Sequence, residues 1–187
     1  MTKPIGGGGT IRGMENNQPI EKTVGLEIGS TSSIETKEGE EFLIDTSKRP
    51  LYLPGWAQGL VNYDKKLGII KWDKDKFKDA LFVTDEQISG SENAEKLIKK
   101  LKSENVPLLN SNVFEYLRKN KDQIPEEWKS IKEGSEVRIY FGGTIFRNTD
   151  GDDAVLSLYW NGKGWNESEC YLNANWDDRY QAAVFKE

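Results

Sequence analysis

Three tryptophans, Trp160, Trp165 and Trp176, fall within the last forty residues of this 187-residue chain, among Asn161, Asn166, Asn173 and Asn175 and the carboxylates Asp177 and Asp178. Acidic residues exceed basic ones by five in that stretch, which equals the net charge of −5 for the whole chain. Flat rings bury a large area and amides add directed hydrogen bonds, so this mixture suits stacking on a sugar or anchoring a protein partner. The candidate binding residues are therefore Trp165, Asn166, Asn173, Asn175, Trp176, Asp177 and Asp178. Trp160 and Trp176, taken singly, read as sheet core, whereas Trp165 beside Gly164 and the Asn161-Gly162 turn is expected to be exposed.

Other chemistries are narrowed by what is missing. The chain has no histidine, which removes Ser-His-Asp and Cys-His nucleophiles, His-ligated zinc and the usual general base near neutral pH. Asp150-Gly151-Asp152-Asp153 is rich in oxygen ligands, but setting Gly151 at the glycine of an EF-hand loop puts Phe146 at the first ligand and Ser157 at the bidentate acid. A solvated hairpin turn is the better reading. Asp73-Lys74-Asp75 fails in the same way at Thr84. Gly6 to Gly9 lacks the Gly-Lys-Ser/Thr of a phosphate loop, and Gly142-Gly143 continues a strand, which points to close backbone packing or a bulge. Lys96, Lys99, Lys100 and Lys102 read as a solvated helix face, which argues against nucleic acid in an acidic chain. The single Cys170 reads as a small buried apolar residue. No catalytic residue, metal ligand or cofactor is nominated, and a carboxylate enzyme using two of Asp150, Asp153, Asp177 and Asp178 stays as a competing idea.

The elements that must position these residues fall into three regions. Residues 1–22 read as a polar, Gly-rich arm, flexible or ordered by a partner. Residues 23–86 alternate short apolar runs such as Val24 to Ile28 with turns, and Pro50 and Pro54 make Leu51-Tyr52-Leu53 an edge strand or extended loop. Residues 87–187 hold a helical middle and a C-terminal antiparallel sheet, together with 23–86 or apart from it. Ser89 with Glu92 reads as a capping box for a helix from Gly90 to Ser103, whose Ala94, Leu97, Ile98 and Leu101 share a face. Asn110 is expected to cap a second helix carrying Val113, Phe114 and Leu117, and Pro125 to open a short third turn through Trp128. After Gly134 the period becomes two, giving strands around Val137 to Phe141, Thr144 to Phe146, Ala154 to Trp160, Trp165 to Leu172 and Ala182 to Phe185. The class expected is α+β.

From about Gln87 onward the chain resembles a group of uncharacterised proteins from small-genome candidate-phylum bacteria. The likeness is carried, in order, by Ile88-Ser89, IPEEWK (Ile124 to Lys129), GTIFR (Gly143 to Arg147), LYWNG (Leu158 to Gly162), LNANWDD (Leu172 to Asp178) and AAV (Ala182 to Val184). It implies an architecture and no catalytic residue. The ending Trp176-Asp177-Asp178 before a last strand also resembles C-type lectin domains, whose paired cysteines are absent here. Variable proteins of diversity-generating retroelements use that fold, so this resemblance implies a variable ligand-binding protein.

With 36% hydrophobic and 30% charged residues, the chain can bury a core. It has no apolar run of the ~20 residues a membrane span needs, and Met1 to Gly13 lacks a signal-peptide middle. The expectation is a cytoplasmic, non-enzymatic recognition protein that binds a protein partner or polar ligand through its C-terminal sheet and loops. A structural subunit docked by the N-terminal arm is the alternative.

Overall fold

The computed structural model describes the backbone of residues 33–35 and residues 42–186. The arm 1–22 and the Val24 to Ile28 run lie outside the described residues. Five short strands come first: β1 (Ser33–Glu35), β2 (Phe42–Asp45), β3 (Ala57–Tyr63), β4 (Ile69–Trp72) and β5 (Leu81–Phe82). The helical middle comprises α1 (Asp85–Ser89), the strand β6 (Glu92–Asn93), α2 (Ala94–Ser103), α3 (Ser111–Lys119) and single 3-10 turns at Lys121–Gln123 and Glu126–Trp128. Strands β7 (Ile131–Lys132), β8 (Ser135–Glu136), β9 (Arg138–Tyr140), β10 (Thr144–Asn148), β11 (Asp153–Trp160), β12 (Trp165–Tyr171), β13 (Asn175–Trp176) and β14 (Tyr180–Ala183) complete the chain. The class is α+β, as the sequence indicates.

Helix α2 keeps its expected buried face of Ala94, Leu97, Ile98 and Leu101, but its start is corrected. Asn93, not Ser89, is the cap, and its side chain accepts from the Lys96 amide at 3.2 Å. Ser89 instead closes α1, where the reciprocal capping box is Thr84 with Gln87. Glu92 and Asn93 are extended because they pair with Trp176 and Asn175, so a tertiary strand contact holds residues that local propensity would place in the helix. Asn110 does cap α3, accepting from the Asn112 amide at 3.1 Å.

Strand β11 is the axis of a seven-stranded sheet. Along one edge it pairs with β12 over its length, from Ala154 with Tyr171 to Trp160 with Trp165. Along the other edge it meets two partners in succession: Ser157 to Tyr159 face β9, while Asp153 and Ala154 face β10. The sheet divides there, β10 continuing to β3 and β9 continuing to β14 and β5. The β9–β14 pair is parallel, the one departure among these pairings from the antiparallel sheet expected. Strands β3 and β5 come from the N-terminal region, so residues 23–86 contribute to the same sheet as the C-terminal third.

Residues 141–143 make the division and the segment 107–110 fills it. The Gly143 amide donates to Leu109 O at 3.0 Å, Leu109 N to Ala183 O at 2.9 Å, and Phe185 N to Pro107 O at 2.8 Å. Gly143 is thus a site of close backbone packing, one of the two readings its place in the strand pattern allowed.

Both faces of the sheet are covered over much of their area. Ile139, Phe141, Leu156, Leu158, Trp165 and Ala183 point to one core, which includes Val113, Phe114 and Leu117 of α3 and Ile44, Ile70 and Trp72 of the small β1-β2-β4 sheet. Tyr140, Val155, Cys170 and Ala182 alternate to the opposite face and pack against the apolar stripe of α2 with Trp176. No helix among the described residues is long and apolar enough to cross a membrane.

Candidate recognition surface

The seven nominated residues do not converge. Trp165 is only 6% exposed, so the expectation of an exposed ring is corrected. Its cross-strand partner is Trp160, and both sit on the β11–β12 face that carries Leu156 and Leu158. The two rings meet edge to face at 5.7 Å, and Lys121 donates to the Trp165 carbonyl at 2.9 Å. Trp160 is the less buried of the pair, with the Lys129 ammonium 4.5 Å from its ring centroid. Strand parity, which the adjacent Asn-Gly turn does not alter, places both tryptophans on this core face.

Trp176 is 1% exposed and stacks on Tyr180 with ring centroids 5.2 Å apart, in keeping with its reading as core. Asn166 lies at the Trp165 end of β12, and Asn173 and Asn175 lie beyond the other end. Both of the latter are exposed, Asn173 donating to Asp152 Oδ1 at 3.0 Å. Asp177 is gripped by Arg179, whose Nη2 donates at 2.6 Å, and hydrogen bonding from that guanidinium holds the Asp177 carboxyl below its ordinary range. Asp178 pairs with Lys132. The two adjacent acids therefore serve different cations, one within its own loop and one on the β7–β8 hairpin.

Asp150-Gly151-Asp152-Asp153 is a hairpin turn. Asn148 Oδ1 accepts from the amides of Asp150 and Asp152 at 2.9 and 2.8 Å, and Asp153 pairs with Arg147 at 2.7 Å. Among the described residues no three carboxylate or thiol side chains are grouped to hold a metal ion. Cys170 is buried, and burial pushes its thiol up to about 11, which leaves it a poor nucleophile at neutral pH.

The register of four strands assembles a different set of residues. Tyr180 on β14 stands beside Arg138 on β9, Arg138 beside Tyr159 on β11, and Tyr159 beside Asn166 on β12. In-register neighbours share a face, so the four form a row about 14 Å long at the ordinary strand spacing. This is the face of Tyr140, Val155 and Cys170; Tyr180 packs against the edge of that core at Trp176, and all four residues are half-buried. Ser168 adds a hydroxyl one pleat from Asn166. The Arg138 guanidinium lies 5.0 Å from the Tyr159 ring centroid, and among the described residues no carboxylate forms an ion pair with it. Nearby Arg179 and Lys132 are already matched by Asp177 and Asp178.

Sequence reasoning nominated Asn166 in this row and missed Arg138, Tyr159 and Tyr180. The alternation of Arg138 and Tyr140 with Val137, Ile139 and Phe141 was the available signal, because it places Arg138 on the face opposite the obvious core. A separate cleft of about 390 Å³ lies between Pro50, Leu51, Tyr52 and Leu53 and the β3 residues Gln58 and Leu60. Residues 51–53 form an unpaired loop there, with Leu51 65% exposed. No family model, curated protein or solved structure matches the chain.

Proposed function

We propose that the protein is a non-enzymatic recognition protein whose C-terminal sheet presents the Tyr180-Arg138-Tyr159-Asn166 row to a protein partner or polar ligand bearing a carboxylate. The observation that supports this most is Arg138, half-buried between two tyrosines and, among the described residues, without a carboxylate ion-pair partner. A guanidinium offers a planar fork of donors that matches a carboxylate, and flanking phenol rings provide flat, rigid contact area. An open sheet face favours a broad partner over a small molecule, which is held better by a concave pocket. We place the protein in the cytoplasm, a reading supported by its lone, buried, unpaired cysteine.

The test is site-specific photo-crosslinking in cells that express the protein. A benzophenone side chain at position 159 should give a discrete adduct that a probe at Lys99, on the solvent face of α2, does not give. Arg138→Gln in the position-159 probe should remove that adduct while the melting temperature changes little. Identical adducts from positions 159 and 99, or an adduct indifferent to Arg138→Gln, would overturn the reading.

A further inference from the structure

The lysines of α2 are not equivalent. Lys99 pairs with Glu95 at 2.6 Å and Lys100 with Glu86 at 2.5 Å, so both are neutralised on the helix surface. Lys102, in the last turn, reaches across to the end of β3, where its Nζ lies 3.5 Å from Asn62 Oδ1. There it joins Lys65 and Lys66 in lining a cleft of about 340 Å³ with Asn62, Tyr63 and Asp64. Among the described residues none of these three ammonium groups forms an ion pair. The one carboxylate in the cleft is turned to its own loop, Asp64 Oδ1 accepting from the Lys66 amide at 2.9 Å.

The loop that carries two of the lysines is fixed from both sides. The Asp64 amide donates to Gly143 O at 2.6 Å, and Asn110 Nδ2 donates to the Asp64 carbonyl at 2.8 Å. Both contacts belong to the packed division of the sheet, so the backbone from which Lys65 and Lys66 project is anchored at Asp64 before any ligand arrives. Lys102 also carries a cost in the free protein. Burial, reinforced by Lys66 and opposed by Asp64, holds its amine below the ordinary lysine range. A multivalent anion would relieve that cost and satisfy all three cations, which a single carboxylate would not.

We propose that Lys65, Lys66 and Lys102 form a binding site for a phosphate group, either free or carried on a nucleotide, in the cleft between the end of β3 and the last turn of α2. Lysine acts here as a point charge toward phosphate oxygens, and Asn62 supplies an amide at the same opening. The site is separate from the sheet row and does not depend on it.

Titration calorimetry of the full chain with pyrophosphate, ATP and acetate tests this. Pyrophosphate should bind and acetate should not. Lys102→Met and the double change Lys65→Gln/Lys66→Gln should each weaken pyrophosphate binding at least tenfold, while Lys96→Gln and Lys99→Gln leave it within twofold. Circular dichroism melting of each variant separates lost binding from lost folding, and in the native protein the Lys66 amide resonance should shift on titration. ATP binding as pyrophosphate does would assign the site to the phosphates alone, and tighter ATP binding would assign it to a nucleotide. No pyrophosphate binding, or an equal loss in the Lys96 and Lys99 variants, would overturn the proposal.

Discussion

Gly143 and Leu108 approach so closely that a Cβ on Gly143 would stand 2.8 Å from the Leu108 carbonyl oxygen and 2.9 Å from that of Leu109. The obstruction is backbone, which cannot swing aside, and it sits where the 107–110 segment enters the divided sheet. Gly142 differs, since its nearest obstacle is the Leu108 side chain at 3.1 Å.

Gly143→Ala is therefore expected to cost about 1–3 kcal/mol, as overpacking of a tight site does, and Gly142→Ala less. Urea unfolding of the two variants checks the order. Equal midpoints would mean that the division does not need its glycine.

How far the sequence revealed this arrangement depended on the range of the interaction. The α2 face, the Asn110 cap and the C-terminal strands were legible because period and capping are local. The start of α2 was not, because Glu92 and Asn93 are claimed by a strand more than eighty residues later. The division of the sheet was visible only as a Gly-Gly pair that pointed to close backbone packing or a bulge. For the candidate surface, residue types alone drew attention to Trp165 and the acids, while register placed Arg138 between Tyr159 and Tyr180. Register between β9 and β14 is a long-range parallel pairing that no local pattern encodes.

Trp165 offers a direct check on the corrected assignment. Trp165→Ala should remove a packed ring from the core and cost about 3–5 kcal/mol, whereas Asn166→Ala, one residue away on the opposite face, should cost under about 1 kcal/mol. Guanidinium denaturation followed by circular dichroism measures both. A Trp165 variant as stable as the native protein would return that ring to the surface.

Acid should weaken the fold through Asp45 and Asp177. Hydrogen bonds from Ser47 hold the Asp45 carboxyl below its ordinary range, its Oδ1 accepting from the Ser47 hydroxyl at 2.6 Å, and Arg179 does the same for Asp177. A carboxyl with a lowered folded pKa binds its proton less readily in the folded state than in the unfolded one. Its stabilisation is complete above the ordinary aspartate value and is lost as pH falls through that value and then through the lowered one. The melting temperature of native protein should drop from about pH 5 to about pH 2, and the deficit of Asp45→Asn at neutral pH should shrink toward zero across that interval. A deficit that is constant with pH would show that the Asp45 charge is not what stabilises the 45–48 turn.

Tyr140 gives the sharpest test of the packing beneath the proposed row. Its ring lies 4.7 Å from Trp176, its side chain is fully buried, and burial drives its phenol pKa upward. The hydroxyl has no hydrogen-bond partner among the described residues, and neither has the buried Glu92 Oε2. A buried hydroxyl that has lost water without gaining a partner is destabilising, so deleting it removes a penalty and leaves the ring's packing intact. Tyr140→Phe should raise stability by about 1 kcal/mol, where most core changes lower it. The same variant should leave crosslinking from position 159 unchanged, because Tyr140 lies in the part of the sheet face covered by α2 and Trp176. A loss of stability would mean that the hydroxyl is satisfied, and a loss of crosslinking would extend the recognition surface inward from Arg138.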